Sequence, residues 1–353
     1  MIAISLCMIV KNEELNLANC LNSISDFVNE IIIVDTGSTD KTKQIALKYT
    51  DKVYDYKWNN NFSDARNFSI SKASNEYILV LDADEIIKEI NINKINQLMY
   101  ENQNKVGCIV CINEYSRVEN SYKFITTLSR FFNKNNFCYD GMVHEQVVSI
   151  TKSNYETYNI PLKIKHTGYD GNLEVRKKKT ERNISLLNNA LQENPDDPYI
   201  IYQLGKSYYM EEDYINACNY LGHALYFDLD TRLEFVLDLV VSYGYSLINT
   251  KQYETAMQLI NVYDEFSHSA DFIFMIAMVL MNNGRFQEAI DEFKKATSKR
   301  VCQMEGVNDY LAYYNIGVIY ECLGDMFHAK KYYEMCGDYE MALIRMRRIA
   351  QFK

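Results

Sequence analysis

Four times in its second half the chain repeats one pattern. A small residue (Gly205, Gly244, Ala277, Gly317) is followed nine positions later by a large apolar one (Tyr214, Tyr253, Phe286, Met326) and twelve positions later by an alanine (Ala217, Ala256, Ala289, Ala329). Few architectures satisfy it. The small residue lets two antiparallel helices approach closely, the large one fills their joint, and a hairpin that cannot bury its apolar face alone stacks on the next. Residues 196–353 are therefore expected to form stacked helical hairpins with a concave face. Such a face holds a peptide, or serves as a scaffold or a surface for joining copies of the chain. Gly205-Lys206-Ser207 looks like the end of a phosphate-binding loop, but Ile200 stands where that loop needs its upstream glycine, and the repeat register makes the segment helical.

The first 170 residues follow a different period. Short apolar runs at 3–10, 30–35, 52–56, 77–81, 107–113 and 162–166 alternate with helical patterns such as 14–24, 39–48 and 64–73. This alternation predicts an α/β domain with a mostly parallel sheet. A length of 353 residues suits two or three domains. Hydrophobic residues at 48%, charged residues at 24% and only 3 prolines leave no composition for a long disordered linker. The formal charge of −10 argues against nucleic acid or an anionic membrane as partner. No run reaches the apolar length of a membrane span and residues 1–6 carry no export pattern, so a soluble, cytoplasmic protein is expected. The nine cysteines fit reduced thiols. Cys108 and Cys111 spell C-x-x-C, but a strand turns residues i and i+3 to opposite faces, which speaks against a redox or zinc pair.

Two acidic motifs leave apolar strands. Leu79-Val-Leu-Asp-Ala-Asp-Glu85 ends a strand with two carboxylates one residue apart, in a position where open α/β sheets collect ligands. Oxygen donors of this kind suit a hard divalent cation that bridges a diphosphate. Val34-Asp-Thr-Gly-Ser-Thr-Asp40 leaves another strand and turns into a helix, so Asp35 can accept from a base N–H or a ribose hydroxyl. No G-x-G-x-x-G occurs, which disfavours a dinucleotide.

Together with Ser5-Leu-Cys-Met-Ile-Val-Lys-Asn-Glu-Glu14, Trp58-Asn-Asn-Asn-Phe-Ser-Asp-Ala-Arg-Asn67 and Gly141-Met-Val-His-Glu145, these motifs resemble family 2 glycosyltransferases of the GT-A fold over about residues 3–170. The repeats resemble tetratricopeptide repeats, with Leu204-Gly205, Tyr208, Tyr214, Ala217 and Ala224 in register in the first copy. The resemblance implies that Val10, Lys11, Asn12 and Glu13 line the nucleoside pocket with Asp35 on the base. It implies that Asp64 and Arg66 close that pocket, Arg66 directing charge at the diphosphate. Asp82, Ala83 and Asp84 would form the D-x-D that meets donor and metal, Mn²⁺ or Mg²⁺. His166, in Ile164-Lys-His-Thr-Gly-Tyr169, would be a further metal ligand. Glu145 would be the catalytic base, with the role of His144 open because many relatives carry an acidic pair there. Arg176, Lys177, Lys178, Lys179 and Arg182 read as a solvated helix, with a grip on diphosphate as the lesser alternative.

The expected organisation is a catalytic domain over 1–170, a linker helix over 171–195 and about four repeats over 196–353. A catalytic domain followed by such repeats resembles bacterial peptide glycosyltransferases of the sublancin S-glycosyltransferase type. That implies an inverting transferase moving a hexose or N-acetylhexosamine from a UDP-sugar to a peptide or protein. The alternatives are a transferase of surface-polysaccharide or lipopolysaccharide-core assembly, and a non-catalytic repeat scaffold.

Overall fold

A computed structural model describes residues 3–116, 121–167 and 173–351 of the chain. Met1 at the chain start, Gly168 and Tyr169 of the last motif and the side chain of Arg176 lie outside the described residues. The chain divides into two compact units, residues 1–186 and 187–353.

The first unit opens with strand β1 (Ile4–Val10), helix α1 (Leu17–Ile24), strand β2 (Glu30–Asp35), helix α2 (Thr42–Ala46), strand β3 (Val53–Asp55), helix α3 (Phe62–Lys72) and strand β4 (Tyr77–Val80). It continues with β5 (Glu85–Ile90), α4 (Ile92–Glu101), β6 (Val106–Ser116), β7 (Ser121–Asn133), β8 (Phe137–Asp140), β9 (Gln146–Ser149) and β10 (Thr157–His166). Helix α5 (Leu173–Glu193) runs across the division between the units. Eight strands form one sheet in the order β3-β2-β1-β4-β7-β6-β10-β5, and β8 pairs with β9 alone.

Strand β1 is apolar without alternation because both of its faces are covered. Leu6 and Met8 join Leu17, Leu21, Ile95 and Met99 in one core, while Cys7 joins Ile70, Ile78, Phe132 and Phe137 in the core on the other face. The sheet is mixed. β1 is parallel to β2 and β4, but β7 enters antiparallel between β4 and β6, and β5 closes the far edge antiparallel to β10. The expectation of a mostly parallel sheet missed β5 and β7 because both carry polar residues among their apolar ones and so lack the continuous apolar signature of a buried parallel strand. Cys108 and Cys111 lie on β6, buried on a paired strand, and burial pushes the Cys111 thiol up to about 12. All nine cysteines are free thiols.

At the amino end of β2, Glu30 is buried and ties the sheet together. It accepts from Ser5 Oγ, Lys52 Nζ, and Ser74 N and Oγ, the last two at 2.8 Å each. Burial opposes its charge, but Lys52, Ser5 and Ser74 together bring its carboxyl down to about 2.

The second unit is helical: α6 (Pro198–Met210), α7 (Tyr214–Ala224), α8 (Glu234–Asn249), α9 (Tyr253–Ala256), α10 (Tyr263–Phe266), α11 (Ala270–Asn282), α12 (Phe286–Thr297), α13 (Tyr310–Cys322), α14 (Met326–Glu334) and α15 (Glu340–Gln351). The nine-residue offset lands on the first residue of the second helix of each hairpin, and all four repeat alanines are fully buried. A Cβ on Gly205 would lie 2.6 Å from Leu221 Cγ and 2.9 Å from the Leu221 backbone nitrogen, and one on Gly317 would lie 2.5 Å from the buried Tyr333 ring. Asp213 and Asp325 cap second helices through the N–H groups of Asn216 and His328. Among the described residues no helix is long and apolar enough to cross a membrane.

Two stability predictions follow from these contacts. The folded carboxyl of Glu30 lies below its unfolded value, so its contribution is full above about pH 5 and drains away as pH falls toward 2. The stability gap between wild type and Glu30→Gln in urea melts should therefore shrink by about 1 kcal/mol between pH 6 and pH 3.5. A pH-independent gap would contradict this assignment. Alanine at Gly205 gains about 1 kcal/mol of helix propensity, but the overlap with Leu221 costs about 1–3 kcal/mol. Gly205→Ala is therefore expected to lower the urea midpoint of the second unit.

Candidate active site at the carboxyl ends of the strands

The chain runs from β1 through β2 to β3 on one side, and β4 returns on the other side of β1. The crevice beyond the carboxyl ends of β1 and β4 is the switch point where open α/β sheets collect ligands. Val10 pairs in register with Asp35, and both are buried. Asn12 adopts a left-handed φ of +56°, donates from its backbone to Ser38 Oγ and accepts at Oδ1 from Thr39 N at 2.8 Å. Glu13 N donates to Thr42 Oγ1. The loops after β1 and β2 are thus laced into one rim, with Lys11 exposed upon it. Asp35 Oδ1 accepts from Gly37 N and Ser38 N at 2.8 and 2.7 Å, a turn that uses the φ of +105° at Gly37. Asp35 Oδ2 is buried with no partner among the described residues, an acceptor available to a hydroxyl or ring N–H. Asp64 lies on the exposed side of α3, bonded to Asn59 Nδ2 at 2.7 Å.

Beneath this rim lies a buried network of charges. Arg66 donates from Nη2 to Asp82 Oδ1 at 2.9 Å and from Nε to Glu145 Oε1 at 2.5 Å. Arg130, on β7, donates from Nη2 to Asp82 Oδ2 at 2.8 Å and approaches Glu85 Oε1 at 3.4 Å, while Glu85 Oε2 accepts from Asp82 N at 2.8 Å. Burial works against the charge on Asp82, yet Arg130 and Arg66 hold its carboxyl well below the usual range. Burial pushes Glu85 the other way, up, with the Asp82 charge adding to it. Beyond the carboxylates of Asp82 and Glu145, Arg66 Nη1 is buried with no hydrogen-bond partner among the described residues. Both of its charged contacts are internal, because a buried guanidinium needs carboxylates and these are the ones in reach.

Of Asp82, Asp84 and His166, the structure brings the last two together. Asp84 Oδ2 lies 3.3 Å from His166 Nε2 and 3.8 Å from Lys179 Nζ. Asp82 is instead held by the two arginines. Asn113 fixes the imidazole: its amide NH₂ donates to the Phe124 carbonyl at 3.4 Å, so its Oδ1 faces His166 Nδ1 at 3.0 Å and accepts from it. His166 Nε2 is thereby turned to Asp84. Burial lowers the imidazole, and Asp84, with Glu85 and Asp82 behind it, more than reverses this, so its pKa is raised. Among the described residues no three His, Cys, Asp or Glu side chains converge on one point as a metal cage. One carboxylate and one imidazole with a bonded far nitrogen still fit a divalent ion that takes its remaining ligands from water and substrate phosphates.

Glu145 ends the segment between β8 and β9. Gly141 there has φ +105° and His144 φ +53°. His144 Nε2 is buried without a partner among the described residues, and burial, with Arg182 nearby, lowers its pKa. Asn67 anchors the hairpin: its amide donates to Tyr139 O at 2.8 Å and accepts from Tyr139 N at 2.9 Å. The basic stretch is not wholly solvated as expected, since Lys179 turns to Asp84 and Arg182 lies over the Phe62 ring. Sequence reasoning missed Arg130 and Asn113. The signal for Arg130 was a lone charge inside the apolar run Leu128-Ser-Arg-Phe-Phe132.

The model of glycosyl transferase family 2 matches residues 5–183, half of the chain and the whole of this site. The chain belongs to that family. The tetratricopeptide repeat model matches residues 270–298 and 310–336, the third and fourth copies. The SPbeta prophage-derived glycosyltransferase SunS of Bacillus subtilis is 31% identical over 62% of this chain and 52% of its own length. A TPR repeat-containing protein of Synechococcus elongatus is 32% identical over 64% of this chain and 57% of its own length. The chain thus spans about half the length of these curated relatives. Among solved structures, YrrB, a TPR protein with an unusual peptide-binding site, is 20% identical over 50% of this chain and 87% of its own, with a TM-score of 0.41.

Removing one partner of the buried network leaves charges unpaired. Arg130→Met is expected to cost about 3–5 kcal/mol of the first unit's stability in urea unfolding. A loss below about 1 kcal/mol, the range of an exposed pair, would show that the network is solvated.

Proposed function

We propose that the chain is an inverting, metal-dependent transferase that moves a hexose or N-acetylhexosamine from a UDP-sugar to a peptide or protein. The observation that carries this reading is the gathering of Asp35, Asp84 with His166, and Glu145 around the carboxyl ends of β1, β2 and β4. In this reading Val10, Lys11, Asn12 and Glu13 line the nucleoside side, Asp35 Oδ2 receives a donor from base or ribose, and Asp64 stands at the rim. Asp84 and His166 would hold Mn²⁺ or Mg²⁺, which when bound neutralises charge on the departing diphosphate. Asp82, followed by Ala83, belongs to the same turn and keeps its carboxylate aligned through Arg66 and Arg130.

Glu145 is the base. Arg66 fixes Oε1, and Oε2, which has no hydrogen-bond partner among the described residues, is the atom that takes the acceptor proton. The acceptor heteroatom bonds to the anomeric carbon as the carbon–oxygen bond to the diphosphate breaks. Its electron pair leaves with the UDP, and the configuration inverts.

A peptide acceptor is supported by the repeats and by the distribution of charge. Residues 1–186 carry 23 basic and 23 acidic side chains, whereas residues 187–353 carry 14 basic and 24 acidic. The whole formal charge of −10 therefore lies in the repeat unit, which suits a net basic acceptor segment. A cytoplasmic setting, with a catalytic domain over 1–170, a linker over 171–195 and repeats over 196–353, goes with this reading.

The test incubates the full chain with labelled UDP-sugars, Mn²⁺ or Mg²⁺, and synthetic basic and acidic peptides. Metal-dependent UDP release and sugar on the basic peptides are expected, with transfer weakening as salt rises. Glu145→Gln should lower kcat about 10²–10⁴-fold with little change in donor KM. Transfer only to a saccharide lipid would point to polysaccharide or lipopolysaccharide-core assembly. No metal-dependent release of any nucleotide would point to a scaffold.

A further inference from the structure

Arg66 and Arg130 are committed to Asp82, Glu85 and Glu145, yet a further cation stands at Asp84. Lys179 Nζ lies 3.8 Å from Asp84 Oδ2, on the same carboxylate oxygen that faces His166 Nε2 at 3.3 Å. The ammonium thus stands beside a carboxylate and an imidazole. Its base is fixed: Arg182, one turn along α5, lies over the Phe62 ring at 5.2 Å. Its tip faces solvent. The Lys179 side chain is 48% exposed, against 11% for Asp84, on a stem of four flexible carbons.

We propose that Lys179 is a tethered counter-ion, which occupies the cation position beside Asp84 in the donor-free protein and passes to the donor's diphosphate when a divalent ion takes Asp84 and His166. The inference rests on the metal-dependent donor reading above. Ammonium and divalent ion cannot share Asp84 Oδ2 at close range, because like charges there repel. A diphosphate supplies the negative charge that lets both cations remain. Metal binding thereby frees a diphosphate-gripping group, and the diphosphate removes the competitor for the metal. By reciprocity each must raise the affinity of the other by the same factor. Lys179 is a positioning residue in this scheme, with two opposed effects that a merely structural surface lysine would not have.

The test uses the full chain and Lys179→Met, with Lys179→Arg to keep the charge and Lys179→Gln as a second neutral variant. Mn²⁺ affinity without nucleotide is read from the electron paramagnetic resonance of free Mn²⁺, and UDP affinity at saturating Mn²⁺ from calorimetry. Both neutral variants are expected to bind Mn²⁺ alone about three- to tenfold tighter than wild type and UDP about three- to tenfold more weakly, while Lys179→Arg stays near wild type. Unchanged or weaker Mn²⁺ binding in the neutral variants, with wild type binding the ion, overturns the lysine's role and leaves the metal reading intact. Tighter Mn²⁺ with unchanged UDP affinity overturns the passage to the diphosphate. Mn²⁺ bound by no variant, with or without UDP, overturns the metal reading and this inference with it.

Discussion

Two guanidinium groups lie beneath the end of β4, and the loops around them are arranged to satisfy them. Arg66 comes from α3 and Arg130 from β7, and their counter-charges come from the turn after β4, the start of β5 and the segment before β9. Four stretches distant in sequence are therefore drawn to one point by the cost of leaving a charge unpaired in low dielectric. The sheet supplies the platform, and the network sets which loops lie above it. The antiparallel entry of β7 beside β4 is what carries Arg130 to this point.

Much of this was legible in the sequence where one residue type answers to one local need. The apolar runs at 30–35 and 77–81 coincide with β2 and, within a residue, β4. The repeat offsets mark the start of each second helix because a close helix approach admits only small residues, as at Gly205 and Gly317. What stayed hidden was pairing. Arg66 read as a cation facing substrate because its partners, Asp82 and Glu145, are 16 and 79 residues away, and only the fold shows that it is paired with them. Strand β7 was hidden for a related reason, since its apolar residues are spaced by the polar side chains of a long antiparallel hairpin.

The two units keep their shapes by different means. In the repeats, glycines fit against Leu221, Met275 and Tyr333 with no room for a methyl, so geometry is fixed by steric closeness. In the first unit, apolar cores hold the two faces of the sheet, while hydrogen bonds and ion pairs link the loops at its carboxyl edge. Steric packing tolerates changes of charge but not of volume, and the ionic network tolerates the reverse.

Asn67 shows what such linkage does over time. Its one amide takes both backbone groups of Tyr139, so the helix turn that bears Arg66 and the hairpin that leads to Glu145 are stapled side by side. A change in the width of the crevice that keeps these two hydrogen bonds moves both segments together. The spacing between guanidinium and carboxylate is preserved while the mouth above them widens or narrows. A crevice stapled in this way can change its width without changing the distance between Arg66 and Glu145.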